Sequence, residues 1–146
     1  MISVPVYLRL CRLHASNKQL LKMYYSLFSE FSGDEALFYR REFSERISRR
    51  EKIDKELNFL IKEIRDDKEN SKILKAIGYS SLMLFSLDYI FQNMFFKKDL
   101  DRCQSLEIRN IEMYYEFLYA GTGKEEITEM LLDQKSEVED SVYIEI

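Results

Sequence analysis

Apolar residues recur every three to four positions along most of this chain, which is the period of an amphipathic helix. The spacing predicts a first helix from Val6 to His14. Ser16, with Gln19 three residues later, has the pattern of a capping box, so a new helix is expected to start there and continue to Phe28. Gly33 is expected to end that helix.

A long helix is predicted from about Glu35 to Arg65, with an apolar stripe on one face. Arg50 and Asp54 interrupt this stripe, four residues apart and able to pair. The rest of the helix is rich in basic and acidic side chains. Two interpretations stay open: a solvated face of local ion pairs, or a basic contact surface for an acidic partner or a phosphate backbone. The arginines of that contact surface are Arg40, Arg41, Arg46, Arg49 and Arg50.

The segment from Ile73 to Phe96 is apolar on nearly every side. Its length permits a membrane span, but Asp88, Gln92 and Asn93 fall inside it, and a carboxylate in the middle of a bilayer costs several kcal/mol. A buried central helix is therefore favoured. Because such a helix needs neighbours all round, some of them are expected to belong to another chain. The contact candidates here are Leu82, Phe85, Phe95 and Phe96.

The last third of the chain predicts two further helices and a strand. One helix runs from about Asp99 to Tyr119, and Gly121 and Gly123 prevent it from continuing. A short helix, capped by Thr122, follows and reaches Leu132. Residues 124–146 contain eight acidic and two basic residues, a net charge of −6. Residues 142–146 are β-branched and aromatic, which is typical of a strand, and an isolated strand needs a sheet edge from elsewhere. Tyr143 is therefore a further contact candidate.

Composition supports an all-α fold. Apolar residues make up 46 % of the chain, which excludes disorder, and 4 Gly with 1 Pro are too few for the turns of a β-rich or α/β fold. We therefore predict a bundle of four to five helices with a short C-terminal strand. A helical assembly domain would span residues 1–135, and an acidic tail ending in the strand would span residues 136–146.

Charge and thiol chemistry narrow the class of protein. The net charge of −4 argues against chain-wide attraction to nucleic acid. Cys11 and Cys103 match no metal or redox spacing and suit a reducing compartment. No acidic residue precedes Glu30, so the N-terminal segment is either an ordinary first helix or a mitochondrial presequence.

The sequence offers few groups for catalysis. His14 is the only histidine, which excludes a cluster of histidine metal ligands, and a half-buried structural role is favoured for it. The segment Gly121–Lys124 lacks the first half of a phosphate-binding loop, and the pair Glu125–Glu126 lies in a polar context. We therefore predict a protein that is not an enzyme and that uses no metal or cofactor.

Several stretches resemble the GINS complex of the eukaryotic replicative helicase. Leu10–Ala15 is similar to the opening helix of its Psf-one subunit, and Arg49–Lys52 to the basic segment of that subunit. Glu126–Thr128 with Asp140–Ile146 is similar to its C-terminal passage. The Sld-five subunit is similar through Glu45–Ile47 and the same ending.

The GINS resemblance implies a non-enzymatic structural subunit of a nuclear DNA replication complex. Its partners would be sister subunits and the helicase, bound by helix packing with the arginines setting the register. It also implies the helical A domain of that family without its small B domain. No membrane contact is expected. Direct contact with nucleic acid is disfavoured but stays open as one interpretation of the basic helix face.

Another resemblance points to the LYR-motif proteins. Tyr7-Leu8-Arg9 with Arg12, followed by Arg41-Glu42-Phe43, looks like a rearranged form of their motifs. This resemblance implies a mitochondrial adaptor for iron–sulfur transfer or respiratory-complex assembly that binds acyl carrier protein. A third hypothesis is a lineage-specific helical protein-binding module.

Overall fold

The structure, a computed structural model, describes residues 2–30, 37–67 and 99–140. These residues form four helices: α1 (Val4–Glu30), α2 (Leu37–Asp66), α3 (Asp99–Ala120) and α4 (Glu125–Glu139). The all-α prediction is confirmed over this part of the chain, and none of the described helices is long and apolar enough to cross a membrane. Several predicted features lie outside the described residues: the helix at 73–96, the strand at 142–146, and the candidates Leu82, Phe85, Phe95, Phe96 and Tyr143.

Helix α1 packs against both α2 and α3 and runs antiparallel to each. The direction of α2 follows from two contacts, Asn17 with Arg50 and, further along α1, Tyr24 with Phe43. The direction of α3 follows in the same way from Ser16 with Asn110 and, further along α1, Tyr24 with Glu107. Helix α4 then folds back along α3 and also reaches α2.

The buried apolar residues form two clusters along the bundle. The smaller cluster lies where α1 ends and α2 begins, and it consists of Leu20, Met23, Tyr24, Leu27, Phe43, Cys103 and Leu106. The larger cluster lies at the other end and includes Leu10, Leu13, Ile53, Leu57, Tyr114 and Leu131. Full burial of one such side chain stabilises the fold by about 1.5–3 kcal/mol. Buried polar residues separate the clusters along each of the three longer helices, as described below.

The predicted break in the first helix is wrong. Helix α1 is continuous from Val4 to Glu30, and Ser16 lies buried in its middle. The Ser16 hydroxyl accepts a hydrogen bond from the Asn110 amide at 2.9 Å, so it serves a contact with α3 instead of capping a helix. A capping box is a local signal, and here tertiary packing determines the role of the serine.

The last helix is longer than predicted. It begins at Glu125 and continues past Leu132 to Glu139, because Gln134 and Val138 extend its buried face. Lys124, and not the predicted Thr122, is its N-cap residue, and it forms no side-chain capping bond. Gly121 has φ of 86°, and its N–H donates to the Phe117 carbonyl at 3.1 Å, so the predicted glycine end of α3 is confirmed.

Candidate protein-binding surfaces

Arg50 is 1 % exposed and lies between α1 and α3. Its Nη1 donates to Asn110 Oδ1 at 2.8 Å and to Asn17 Oδ1 at 3.2 Å, and its Nη2 donates to the Glu107 carboxylate. The predicted pairing of Arg50 with Asp54 is therefore wrong. The guanidinium extends into the bundle. There Glu107 supplies the opposite charge, and Asn17 and Asn110 supply further hydrogen-bond acceptors from α1 and α3.

The other buried polar groups around Arg50 are also hydrogen-bonded. The Tyr24 hydroxyl donates to Glu107, and the Asn17 amide donates to the Arg50 carbonyl oxygen at 2.8 Å. Burial and the nearby Glu107 carboxylate raise the pKa of Tyr24 well above its ordinary value, so this tyrosine stays neutral. Burial lowers the pKa of Arg50, but Glu107, Tyr24 and Tyr114 together act in the opposite direction, and the net result is a raised pKa. These residues form a buried hydrogen-bond network that connects α1, α2 and α3.

The other predicted arginines do not share one environment. Arg46 is buried and donates to the Glu42 carboxylate at 2.8 Å and to the Glu42 carbonyl at 3.1 Å. The Arg40 guanidinium lies 4.7 Å from the centre of the Phe28 ring. Arg41 is 81 % exposed and pairs with Glu45 at 3.6 Å. Arg49 is partly buried. The structure thus places two of the five arginines in the interior and the other three at or near the surface.

His14 is half-buried, and Cys11 and Cys103 are buried free thiols. His14 Nε2 lies 2.9 Å from Asp54 Oδ1, and burial lowers the pKa of His14 although Asp54 acts in the opposite direction. Cys103 is buried, and burial raises its pKa to about 12, so its thiol is protonated at neutral pH. In residues 2–30, 37–67 and 99–140, no group of three or more side chains is arranged to hold a metal ion.

An open groove lies where the C-terminal half of α2 meets the start of α4. Its volume is about 420 Å³. Phe59, on α2, is 66 % exposed and forms part of its wall. The apolar residues that line the groove are Ile2, Phe59, Leu60, Ile64, Ile127 and Met130. The charged residues that line it are Glu56, Glu63, Asp67, Lys124 and Glu126.

The carboxylates of the groove differ in how they are bonded. Glu56 accepts a hydrogen bond from the Gln134 amide at 3.0 Å and lies 3.9 Å from Lys52 Nζ. Glu63, Asp67 and Glu126 are exposed, and within the part of the chain that the structure describes none of them pairs with a basic side chain. The pattern of apolar residues along the chain does not predict this groove. Phe59, a large apolar residue outside the predicted stripe of α2, was the available signal.

A second apolar surface lies on α3. Ile108, Tyr115 and Tyr119 are exposed and spaced by seven and four residues, so they share one face of the helix. Tyr115 is held in place, because its hydroxyl donates to Glu139 at 2.8 Å and Lys135 Nζ lies 4.4 Å from its ring centre. Tyr119 is 96 % exposed. We call these three residues the α3 face.

Comparison with protein-family models, curated proteins and solved structures finds no match to this chain. The groove and the α3 face are therefore the candidate functional surfaces. Both present large apolar side chains to solvent, which is typical of sites that bind other proteins.

Proposed function

We propose that this chain is a non-enzymatic helical subunit that binds other proteins through exposed faces of its bundle. The observation that carries the proposal is Tyr119, a tyrosine 96 % exposed at the end of the α3 face. Tyrosine supplies a large contact area with only two rotatable side-chain bonds, so it loses little entropy when a partner covers it.

A comparison within α3 supports this proposal. Tyr114 is fully buried, and its hydroxyl donates to Gln134 at 2.8 Å. Its neighbour Tyr115 is largely exposed yet is held by Glu139 and Lys135. The fold therefore uses one tyrosine for the core and presents the next in a fixed position at the surface. A preformed aromatic surface lowers the entropic cost of association.

The sequence resemblance supports a more specific form of the proposal. In that form the chain is a structural subunit of a GINS-like DNA replication complex in the nucleus, and its partners are sister subunits and the helicase. Support comes from the three stretches similar to Psf-one and from the all-helical architecture of the described residues. The α3 face would then be one of the surfaces on which a sister subunit packs.

Co-expression with GINS sister subunits tests this form. We expect the chain to be poorly soluble alone, and to co-purify with sister subunits in one complex on size-exclusion chromatography. Tyr119→Glu should weaken that complex about tenfold, since an exposed aromatic anchor contributes more than 1 kcal/mol to a typical interface. Lys62→Glu, an exposed change on α2, is the control and should leave it intact.

Two outcomes would contradict the proposal at different levels. A stable monomer with no affinity for any sister subunit would overturn the GINS form. Full binding by Tyr119→Glu would show that the α3 face is not the surface used. Imaging of a tagged copy separates the hypotheses further: nuclear signal supports the GINS form, whereas mitochondrial signal with capture of acyl carrier protein supports an LYR-like adaptor.

A further inference from the structure

We propose that the groove between α2 and α4 docks a basic amphipathic helix of a partner chain. This inference rests on the proposed function, that the chain binds proteins, and it names the chemistry of one partner segment. The groove combines an apolar lining with carboxylates along its edges, and each of these features restricts what can bind there.

The apolar lining calls for an apolar occupant. Ile64 and Ile127 belong to the buried core, and Leu60 and Met130 pack against that core, so the floor continues the interior of the bundle. Phe59 stands beside them and is 66 % exposed. A large aromatic side chain next to an apolar floor is a site where a partner can remove much apolar surface from water.

The carboxylates call for a positively charged occupant. Glu63, Asp67 and Glu126 line the groove and have no basic partner among the residues that the structure describes, and Lys124 is the one cation in the lining. Attraction between charges is stronger beside apolar protein surface than in open water. A phosphate backbone or an anionic membrane surface would be repelled by the same groups, which favours a lysine- or arginine-bearing peptide.

The shape of the groove favours a helix. Its lining residues on α2 and directly after it are at positions 56, 59, 60, 63, 64 and 67, which is the spacing of one helix face over three turns. These positions span about 16 Å at 1.5 Å per residue. A partner helix lying alongside can place apolar side chains of successive turns against Phe59 and Met130, with basic residues on its flanks meeting the carboxylates.

Peptide binding to the full chain tests the inference. The probe is a fluorescent helical peptide of about five turns with leucine at i, i+4, i+7 and i+11 and lysine on both flanks. One control peptide has glutamate in place of each lysine, and another has serine in place of each leucine. Fluorescence anisotropy should show binding of the first peptide that weakens as salt rises, and at least about tenfold weaker binding of both controls.

Substitutions of groove residues test whether the peptide binds in the groove. Phe59→Ala should weaken the first peptide about tenfold, and the triple variant Glu63→Lys, Asp67→Lys, Glu126→Lys should weaken it by a similar factor. Glu129→Lys, an exposed change on α4 outside the groove lining, is the matched control and should bind as the wild type does. All five changed side chains are exposed, so the variants should keep the helical circular-dichroism spectrum of the wild type.

The inference is overturned if the wild type binds no basic peptide, if the glutamate peptide binds equally well, or if Phe59→Ala has no effect. These results are separate from the failure of the proposed function. If the chain co-purifies with sister subunits while the groove binds no peptide, only the groove inference fails. If the basic peptide binds in the groove and no sister subunit co-purifies, the GINS form fails and the groove inference stands.

Discussion

Acidic side chains occupy two contrasting regions of this molecule. Glu107 is 1 % exposed and is bonded by Arg50 and Tyr24, from two other helices. Glu63, Asp67 and Glu126 lie exposed beside the groove, and in the described ranges no basic side chain pairs with them. The same chemical group is thus bonded inside the chain in one place and left to solvent in the other.

The difference follows from the cost of dehydration. A buried carboxylate without a partner loses several kcal/mol of hydration, so the fold must supply an opposite charge and further hydrogen bonds. A surface carboxylate keeps its water and needs no partner for folding. Unpaired charge next to an apolar groove is therefore compatible with folding and remains available to a partner.

The largest expected effect comes from breaking the buried pair. Arg50→Met removes the charge opposite Glu107 and leaves a carboxylate buried. We expect the free energy of unfolding, measured by urea denaturation, to fall by about 3–5 kcal/mol. The double variant Arg50→Met, Glu107→Leu removes both charges and should recover much of that loss, because two apolar side chains can replace a buried ion pair. Wild-type stability of the single variant would contradict the network described here.

Sequence patterns predicted the helices well and the contacts between them poorly. Helical spacing located α2 and α3 to within a few residues, since periodicity is a local property. The interruption of the stripe at Arg50 was visible, but its predicted partner, Asp54, was an acid one turn further along the same stripe. The actual partner, Glu107, lies 57 positions further along the chain. Only the packing of both α2 and α3 against α1 brings the two residues together.

The groove and the α3 face could not be predicted from the sequence for a related reason. The groove exists because α4 meets α2, and helical periodicity does not show which helices pack together. Tyr114 and Tyr115 are adjacent in sequence and of the same residue type, so the sequence alone does not tell which of them is buried. Their different burial depends on which face of α3 is covered by α1 and α4.

A smaller effect on the free energy of unfolding is expected from His14, which is half-buried beside the Asp54 carboxylate. Burial lowers its pKa from the ordinary value of 6.5, Asp54 acts to raise it, and Lys18 and Arg65 act to lower it. Below that ordinary value the unfolded chain binds a proton that the folded chain does not, so the free energy of unfolding falls as pH falls through this range.

Urea denaturation at about pH 7.5 and about pH 5.5 measures the contribution of this histidine. We expect the wild type to be less stable at the lower pH and His14→Gln to lose part of that dependence. An equal pH dependence in the two proteins would show that His14 does not titrate differently in the folded and unfolded chains.

The smallest effect is expected where the charge is unpaired. The triple variant Glu63→Lys, Asp67→Lys, Glu126→Lys reverses three carboxylates, and each exposed change should alter the free energy of unfolding by no more than about 0.5 kcal/mol. Urea denaturation of this variant beside Arg50→Met gives the comparison directly. A loss of several kcal/mol would mean that these carboxylates have a partner within the chain, which would remove the reason to expect a basic partner from outside. A negligible loss, together with weakened binding of the lysine-bearing peptide, would separate the charges that this fold needs from those that it offers to another protein.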